Sequence, residues 1–223
     1  MKSKRRLKCK VVIFDWNGTL LNDLEISYKS TVEIFRRFNL PPPPLHEYRS
    51  HILPDPLGFY RLRGLPQNIK EEELDEIRRE SLKNNWGDVT LQPGSLEAIA
   101  ACKNRDLSAG LISGELGDIL ESRLTQFELT KAFTYTQGDV EDKERALLDF
   151  LEWSGENGFK RIEPERIIFV TDMVHDIYAA QRVGVTTVGL TAGYSEPKKI
   201  RAARPNFIIN SLELLPKILS SAT

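Results

Sequence analysis

Asp15, Ser113 and Asp172 share one local pattern. Asp15 closes the run Val11-Val12-Ile13-Phe14, Ser113 follows Gly110-Leu111-Ile112, and Asp172 comes at the end of Arg166-Ile167-Ile168-Phe169-Val170. Apolar runs without alternation mark strands covered on both faces, as in a parallel sheet between layers of helices. Each of the three polar side chains therefore stands at the carboxyl end of a buried strand, the rim where open α/β sheets bind ligands. Gly18, three residues past Asp15, permits a sharp turn that brings backbone N–H groups toward whatever lies over the carboxylate. A carboxylate so placed suits catalysis or metal binding better than strand capping. Asp176, four residues beyond Asp172, either caps the following helix or supports a metal through water.

These residues need a scaffold that gathers strand ends. From Val89 onward the chain alternates. Helices are expected from Pro93-Gly94-Ser95 to Lys103, over Leu116–Phe127 and Glu141–Trp153, over His175–Val183 with Gly184 as the stop, and over Leu212–Leu219. Strands are expected over Leu107–Ile112, Ala132–Tyr135, Thr186–Leu190 and Asn206–Ile209. Alternation of this kind implies a parallel sheet with right-handed crossovers, in which side chains about 100 residues apart meet at one edge. Residues from about Asn22 to Asp88 carry helical periodicity instead. One helix, capped by Asn22 or Asp23, must end before Pro41-Pro42-Pro43-Pro44. A short piece follows over Glu47–Ile52, and a third helix over Glu71–Trp86 begins with three glutamates. The expected fold is thus a doubly wound, Rossmann-like α/β core formed by residues 1–21 and 89–223, with a helical insert over 22–88.

Composition narrows the function classes. The 223 residues carry 31 Lys and Arg against 32 Asp and Glu, so bulk charge points to neither nucleic acid nor membrane. Six of the first ten residues are basic. They read as a solvated flank or as a tail for an anionic partner, and not as a signal peptide, because the apolar run after them is short and ends in Asp15. No stretch approaches the ~20 apolar residues of a membrane span. Cys9 and Cys102 lack metal-ligand spacing, which makes a reduced, cytoplasmic setting the default. A monomer or homodimer is expected.

Four elements in order resemble the motifs of the haloacid dehalogenase superfamily, in particular its subfamily I, phosphoglycolate phosphatase-like members. Asp15 with Gly18 and Thr19 matches motif I, Ser113 motif II, Lys143 motif III, and Asp172 with Asp176 motif IV. Lys131 competes for the motif III position. The resemblance spans nearly the whole chain. It implies that the insert is a cap over the cleft and that Mg²⁺ is the cofactor, held by Asp15, Asp172, Asp176 and the backbone carbonyl of Asn17. The physical logic agrees, because carboxylates crowded in a cleft repel and a hard cation with oxygen ligands relieves them. The resemblance further implies Asp15 as nucleophile on a small phosphorylated metabolite, through an aspartyl-phosphate. Ser113, Gly114, Lys143 and the backbone around Trp16 and Gly18 would hold the phosphoryl oxygens.

One position departs from the pattern. Asn17 stands where the phosphatases of the superfamily carry the aspartate that protonates the leaving alcohol. General acid–base help is worth ~10²–10⁴-fold. Three outcomes stay open: a slow phosphatase favouring good leaving groups, a proton donor elsewhere, or a protein that binds phosphorylated ligands without turning them over. Relatives that cleave carbon–halogen or carbon–phosphorus bonds also lack this aspartate. A metal requirement would argue against the former, and Lys29, Lys70 and Lys83 offer no clear candidate for the lysine of the latter. His175 lies between the motif IV acids. His46, Arg49, His51, Arg61 and Arg63 of the insert are either solvated charges or contacts for a substrate's far end, and Trp16 is a candidate for packing under the cap.

Overall fold

A computed structural model describes residues 9–51, 55–84, 89–156 and 162–222. Its frame is a six-stranded, wholly parallel sheet. β1 (Val11–Phe14) lies at the centre, between β4 (Ser108–Ile112) and β6 (Ile167–Thr171). β5 (Tyr135–Gln137) extends the sheet beyond β4, and β7 (Thr186–Leu190) and β8 (Phe207–Ile209) extend it beyond β6. The chain winds outward from β1 through β4 to β5, then returns to β6 and winds the other way. The order therefore reverses between β1 and β6, the switch point at which such sheets open a crevice. Phe14 pairs with both Leu111 and Val170, so the carboxyl ends of the three central strands are level.

Why β1 occupies the centre follows from its side chains. All four residues are fully buried, and period-two alternation sends them to opposite layers. Val12 and Phe14 pack in one cluster with Ala98, Ala101 and Cys102 of α5 (Ser95–Lys103), Leu120 and Leu124 of α6 (Gly117–Gln126), and Leu215 and Leu219 of α10 (Leu215–Ala222). Val11 and Ile13 pack on the other face against Ala146, Leu147 and Phe150 of α7 (Lys143–Glu156) and Ala180 of α8 (Val174–Val183). A strand without a polar face can only lie between two helix layers.

The helical stretch enters and leaves through a short antiparallel ribbon of β2 (Leu21–Asn22) and β3 (Thr90–Leu91). Between them run α1 (Leu24–Arg37), α2 (Leu45–His51), α3 (Pro56–Leu62) and α4 (Glu71–Asn84). They form a cluster of their own, with Ile34, Phe35, Tyr48, Phe59, Tyr60, Leu74 and Ile77 at its centre; Met173 and Tyr194 are the two buried core residues that join it.

Several boundaries differ from the sequence expectation. The strand expected over Ala132–Tyr135 runs over Tyr135–Gln137, because Gly110 pairs with Tyr135 and the chain before it turns. Ala132 and Phe133 are apolar because they pack on the core from that turn. The helix expected from Glu141 starts at Lys143, with the Asp142 carboxylate accepting from the Glu144 and Arg145 N–H groups. The last helix opens as a 3-10 turn over Leu212–Leu214. A further helix, α9 (Pro197–Ala202), follows β7. The ends of the helices expected over Glu47–Ile52 and Glu71–Trp86 lie partly outside the described residues. Among the described residues, no helix is long and apolar enough to cross a membrane.

Candidate active site

Lys143 ties the rim together. Its ammonium donates to Asp15 Oδ1 at 2.7 Å, to the Ile112 carbonyl at 3.1 Å and to Asp176 Oδ2 at 3.2 Å. An ammonium has three protons, and all are used. Lys143 is buried, which alone would lower its pKa, but Asp15 and Asp176 outweigh burial and raise it. Its place as the first residue of α7 points it along the rim, whereas Lys131, the rival for this role, is exposed on the turn before β5.

Asp15 sits 5% exposed at the end of β1. Burial pushes its carboxyl above the ordinary range, Lys143 draws it back, and Asp176 adds to the rise. Asp176 is not the cap of α8: Met173 holds that position, and the Asp176 carboxylate turns to Lys143 and to the Thr171 hydroxyl at 3.3 Å. His175 does touch this group, its Nε2 lying 3.1 Å from Asp176 Oδ1.

Asp172, fully buried, has a different set of partners. Thr19 Oγ1 donates to Oδ1 at 2.7 Å, and the Tyr194 N–H donates to Oδ2 at 2.5 Å. Neither partner is charged. Burial first, and repulsion from Asp15 second, push its carboxyl up to about 8. The backbone closes on it so tightly that a Cβ on Gly18, whose φ is +71°, would stand 2.4 Å from Oδ2, and one on Gly193 2.1 Å. Only glycine fits at either position.

Asp15 and Asp172 thus end adjacent strands, which lie about 4.7–4.9 Å apart, and Asp172 lacks a counter-charge. The donor chemistry is all oxygen, which suits Mg²⁺. Two carboxylates with one main-chain carbonyl would suffice, and among the described residues no group of three His, Cys, Asp or Glu side chains is gathered for a metal. The charge surplus therefore fits a divalent cation at Asp15 and Asp172, with Asp176 beside them: its Oδ2 is taken by Lys143 and Thr171, and its Oδ1 is buried without a hydrogen-bond partner among the described residues.

The loop after Asp15 holds the main surprise. Asn17 Nδ2 donates to Asp23 Oδ2 at 2.8 Å and to Glu115 Oε2 at 2.9 Å, so one neutral amide bridges two carboxylates. Desolvation raises the pKa of both acids, with Asn17 pulling each back. Asn22 or Asp23 is expected to cap α1, and Asp23 stands at that position. Its side chain makes no cap and instead accepts from the Gly18 N–H at 2.9 Å and the Tyr194 hydroxyl at 3.0 Å. The Gly18 N–H is therefore committed to Asp23, which corrects the expectation that it faces a phosphoryl group; Gly18 serves by leaving room for Asp172. Trp16 is fully buried in the sheet cluster, which also takes in Ile26 of α1, and its carbonyl accepts from Thr19, Leu20 and Leu21. Ser113 Oγ lies 3.4 Å from Asn17 Oδ1 and accepts from the Glu115 N–H at 2.9 Å. Gly114 is exposed and lines the adjoining cavity.

The insert is strapped to this rim. Arg49 donates to the Gly193 and Tyr194 carbonyls at 2.7 and 3.3 Å, and Tyr194 reaches Ser27 of α1 at 2.6 Å. Arg61 is held by the Gln67 and Ile69 carbonyls and Arg63 by Glu47. These three are braces and not free contacts. His46 is exposed, and the side chain of His51 lies outside the described residues.

The sequence profile of the haloacid dehalogenase-like hydrolases matches residues 12–190, which takes in Asp15, Ser113, Lys143, Asp172 and Asp176. The chain belongs to that family. A Pseudomonas aeruginosa protein named Phosphoglycolate phosphatase 1 is 24% identical over 221 residues, covering 93% of this chain and 79% of its own. The Phosphoglycolate phosphatase of Escherichia coli K12 is 29% identical over 162 residues, 68% of this chain and 62% of that protein. In fold, the crystal structure of a predicted phosphoglycolate phosphatase from Haemophilus somnus 129PT superposes with a TM-score of 0.76 at 22% identity, covering 95% of this chain and 98% of the other. The matched family is one of hydrolases, and the curated relatives named here are called phosphatases.

Proposed function

We propose that the chain is a Mg²⁺-dependent phosphatase acting on a small phosphomonoester through an aspartyl-phosphate. The observation that carries this reading is the 2.7 Å contact of Lys143 with Asp15, held by Asp176 and the Ile112 carbonyl at the rim shared with Asp172. Asp15 Oδ2, the oxygen not taken by Lys143, has a long 3.4 Å contact from Thr171. It attacks phosphorus while the ester oxygen departs with its electron pair. Water then attacks the acyl-phosphate, returns the carboxylate and releases inorganic phosphate. Lys143 and Ser113 hold the equatorial oxygens. Asp15, Asp172 and the Asn17 carbonyl would hold Mg²⁺, which supplies positive charge to the transferring group.

In this reading residues 22–88 are a cap over the core of 1–21 and 89–223. Its support is the independent aromatic cluster of the insert and the struts from Arg49 and Tyr194. The setting is cytoplasmic. The test is hydrolysis of an aryl phosphate with Mg²⁺ against Asp15→Asn as blank, with acid-quenched trapping of the acyl-phosphate. Burst formation that disappears in Asp15→Asn is expected, and metal-independent turnover would overturn the scheme. Asn17 supports one rival, a phosphate-ligand binding protein, because an amide held between two acids transfers no proton. Saturable binding of the aryl phosphate without hydrolysis would favour that rival.

A further inference from the structure

A cavity of about 370 Å³ opens where α4 faces the loops that follow β4 and β5. Gly114 and Glu115 form one wall. Gly114 directly follows Ser113, and Glu115 is one hydrogen bond from Asn17, so the cavity adjoins the loop that carries Asp15. Its charge is one-sided. Setting Glu115 aside, Asp139 and Glu141 on the core side and Glu71 and Asp75 on α4 face two guanidiniums, Arg78 and Arg79. Both are already engaged. Arg78 Nη1 lies 2.6 Å from Glu71 and 2.6 Å from Asp75, and Arg79 lies 2.6 Å from Asp118 of α6. Among the described residues, neither Asp139 nor Glu141 forms an ion pair. Arg49, Arg61 and Arg63, three of the insert's basic groups that could have met an anionic far end, are bound to carbonyls and to Glu47.

We infer that the cavity receives the alcohol part of the substrate and selects against negative charge there: a cationic amino alcohol is preferred to a neutral alcohol, and both to a hydroxy acid. The inference rests on the phosphatase reading above. A carboxylate entering this cavity meets like charges at its open side, where Asp139 and Glu141 are exposed, while an ammonium finds both without a cation. Rejection by unpaired like charge is a common source of specificity. The preference runs opposite to the name borne by the curated relatives, since phosphoglycolate ends in a carboxylate.

Three near-isosteric monoesters test it: phosphoethanolamine, ethyl phosphate and 2-phosphoglycolate, with an aryl phosphate as control. We expect kcat/KM for phosphoethanolamine to exceed that for 2-phosphoglycolate at least tenfold at low ionic strength, with ethyl phosphate between them. The ratio should shrink with added salt. It should fall at least threefold in Asp139→Asn/Glu141→Gln, or in Glu141→Gln alone if the double variant folds poorly. Equal rates, or a preference for 2-phosphoglycolate, overturn the inference while the control keeps the phosphatase reading. A ratio unmoved by the variants removes the cavity as its cause. No turnover of any of the four compounds overturns both readings.

Discussion

Two pairs of carboxylates flank the end of β1, and different donors serve them. Toward α7 and α8, Asp15 and Asp176 share the Lys143 ammonium at 2.7 and 3.2 Å. Toward α1 and the loop after β4, Asp23 and Glu115 share the Asn17 amide at 2.8 and 2.9 Å. The geometry is nearly the same, yet the first pair has a positive charge between its acids and the second has only an N–H dipole. Buried acids need a partner that offsets the loss of water, and an ion offsets more than an amide. The ammonium side is thus built to hold charge through a reaction. The amide side is built to hold the loop that carries Asp15. Asp172 belongs to neither pair; a hydroxyl and a backbone N–H serve it, and no cation reaches it among the described residues.

Removing the charged donor should break the comparison most severely. Lys143→Met leaves Asp15 and Asp176 buried without a counter-ion, and loss of one partner of a buried pair costs ~3–5 kcal/mol. Denaturant unfolding should show a loss of that size, with turnover reduced to the Asp15→Asn blank. A loss under ~1 kcal/mol would mean that water reaches both acids. Asp172 should give the next largest effect. Its carboxyl, raised to about 8, keeps a proton that the unfolded chain releases near pH 4. The sign follows: stability from this group is full below about pH 4 and is lost as pH rises toward 8, by up to ~1.4 kcal/mol per pH unit. Without divalent cations the thermal midpoint should fall across that window, and Mg²⁺ at pH 8 should restore it by binding the folded state. Asp172→Asn should flatten the fall and abolish the Mg²⁺ response. An unchanged slope in that variant would assign it elsewhere.

The amide side can be converted directly. Asn17→Asp removes the Nδ2 donor from two acids at once and places a third carboxylate between them. Stranding buried acceptors costs ~1–3 kcal/mol, so a loss in that range is expected at neutral pH. Turnover of alkyl phosphates should nevertheless rise relative to aryl phosphates, because the poorer leaving group gains most from an acid. Equal destabilisation with no change in the alkyl-to-aryl ratio would show that position 17 does not face the leaving oxygen.

The two sides also differ in how far the sequence reveals them. Asp15, Ser113 and Asp172 announce themselves locally, because an apolar run ending in a polar residue specifies strand, burial and edge together. Lys143 is legible through the family resemblance, as the lysine near a helix start. Asp23 and Glu115 carry no such mark. Asp23 reads as a helix cap and is turned away from the helix by Gly18 and Asn17. Nothing in the sequence singles out Glu115, and it is the bridge from Asn17, 98 residues earlier, that gives it a structural role. The same holds for β5, whose start is fixed by pairing with Gly110 and not by where its apolar residues begin. Periodicity reports burial, whereas partnership between polar groups is decided only when loops meet.

Tyr194 offers the finest test, because it touches both Asp172 and the amide side. Its N–H holds Asp172, its hydroxyl reaches Asp23 at 3.0 Å and Ser27 at 2.6 Å, and its carbonyl accepts from Arg49. Tyr194→Phe keeps the backbone contacts and the ring among the insert's aromatic residues, and deletes only the hydroxyl. Asp23 retains the Asn17 and Gly18 donors, so the cost should be close to one ordinary hydrogen bond, ~0.5–1.5 kcal/mol. If α1 is held over the rim by this hydroxyl, KM should rise more than kcat falls, since the rim acids and Lys143 keep their contacts. A fall in kcat alone would instead place the effect on Asp172, through the loop that donates its N–H, and would join the two sides that the donors separate.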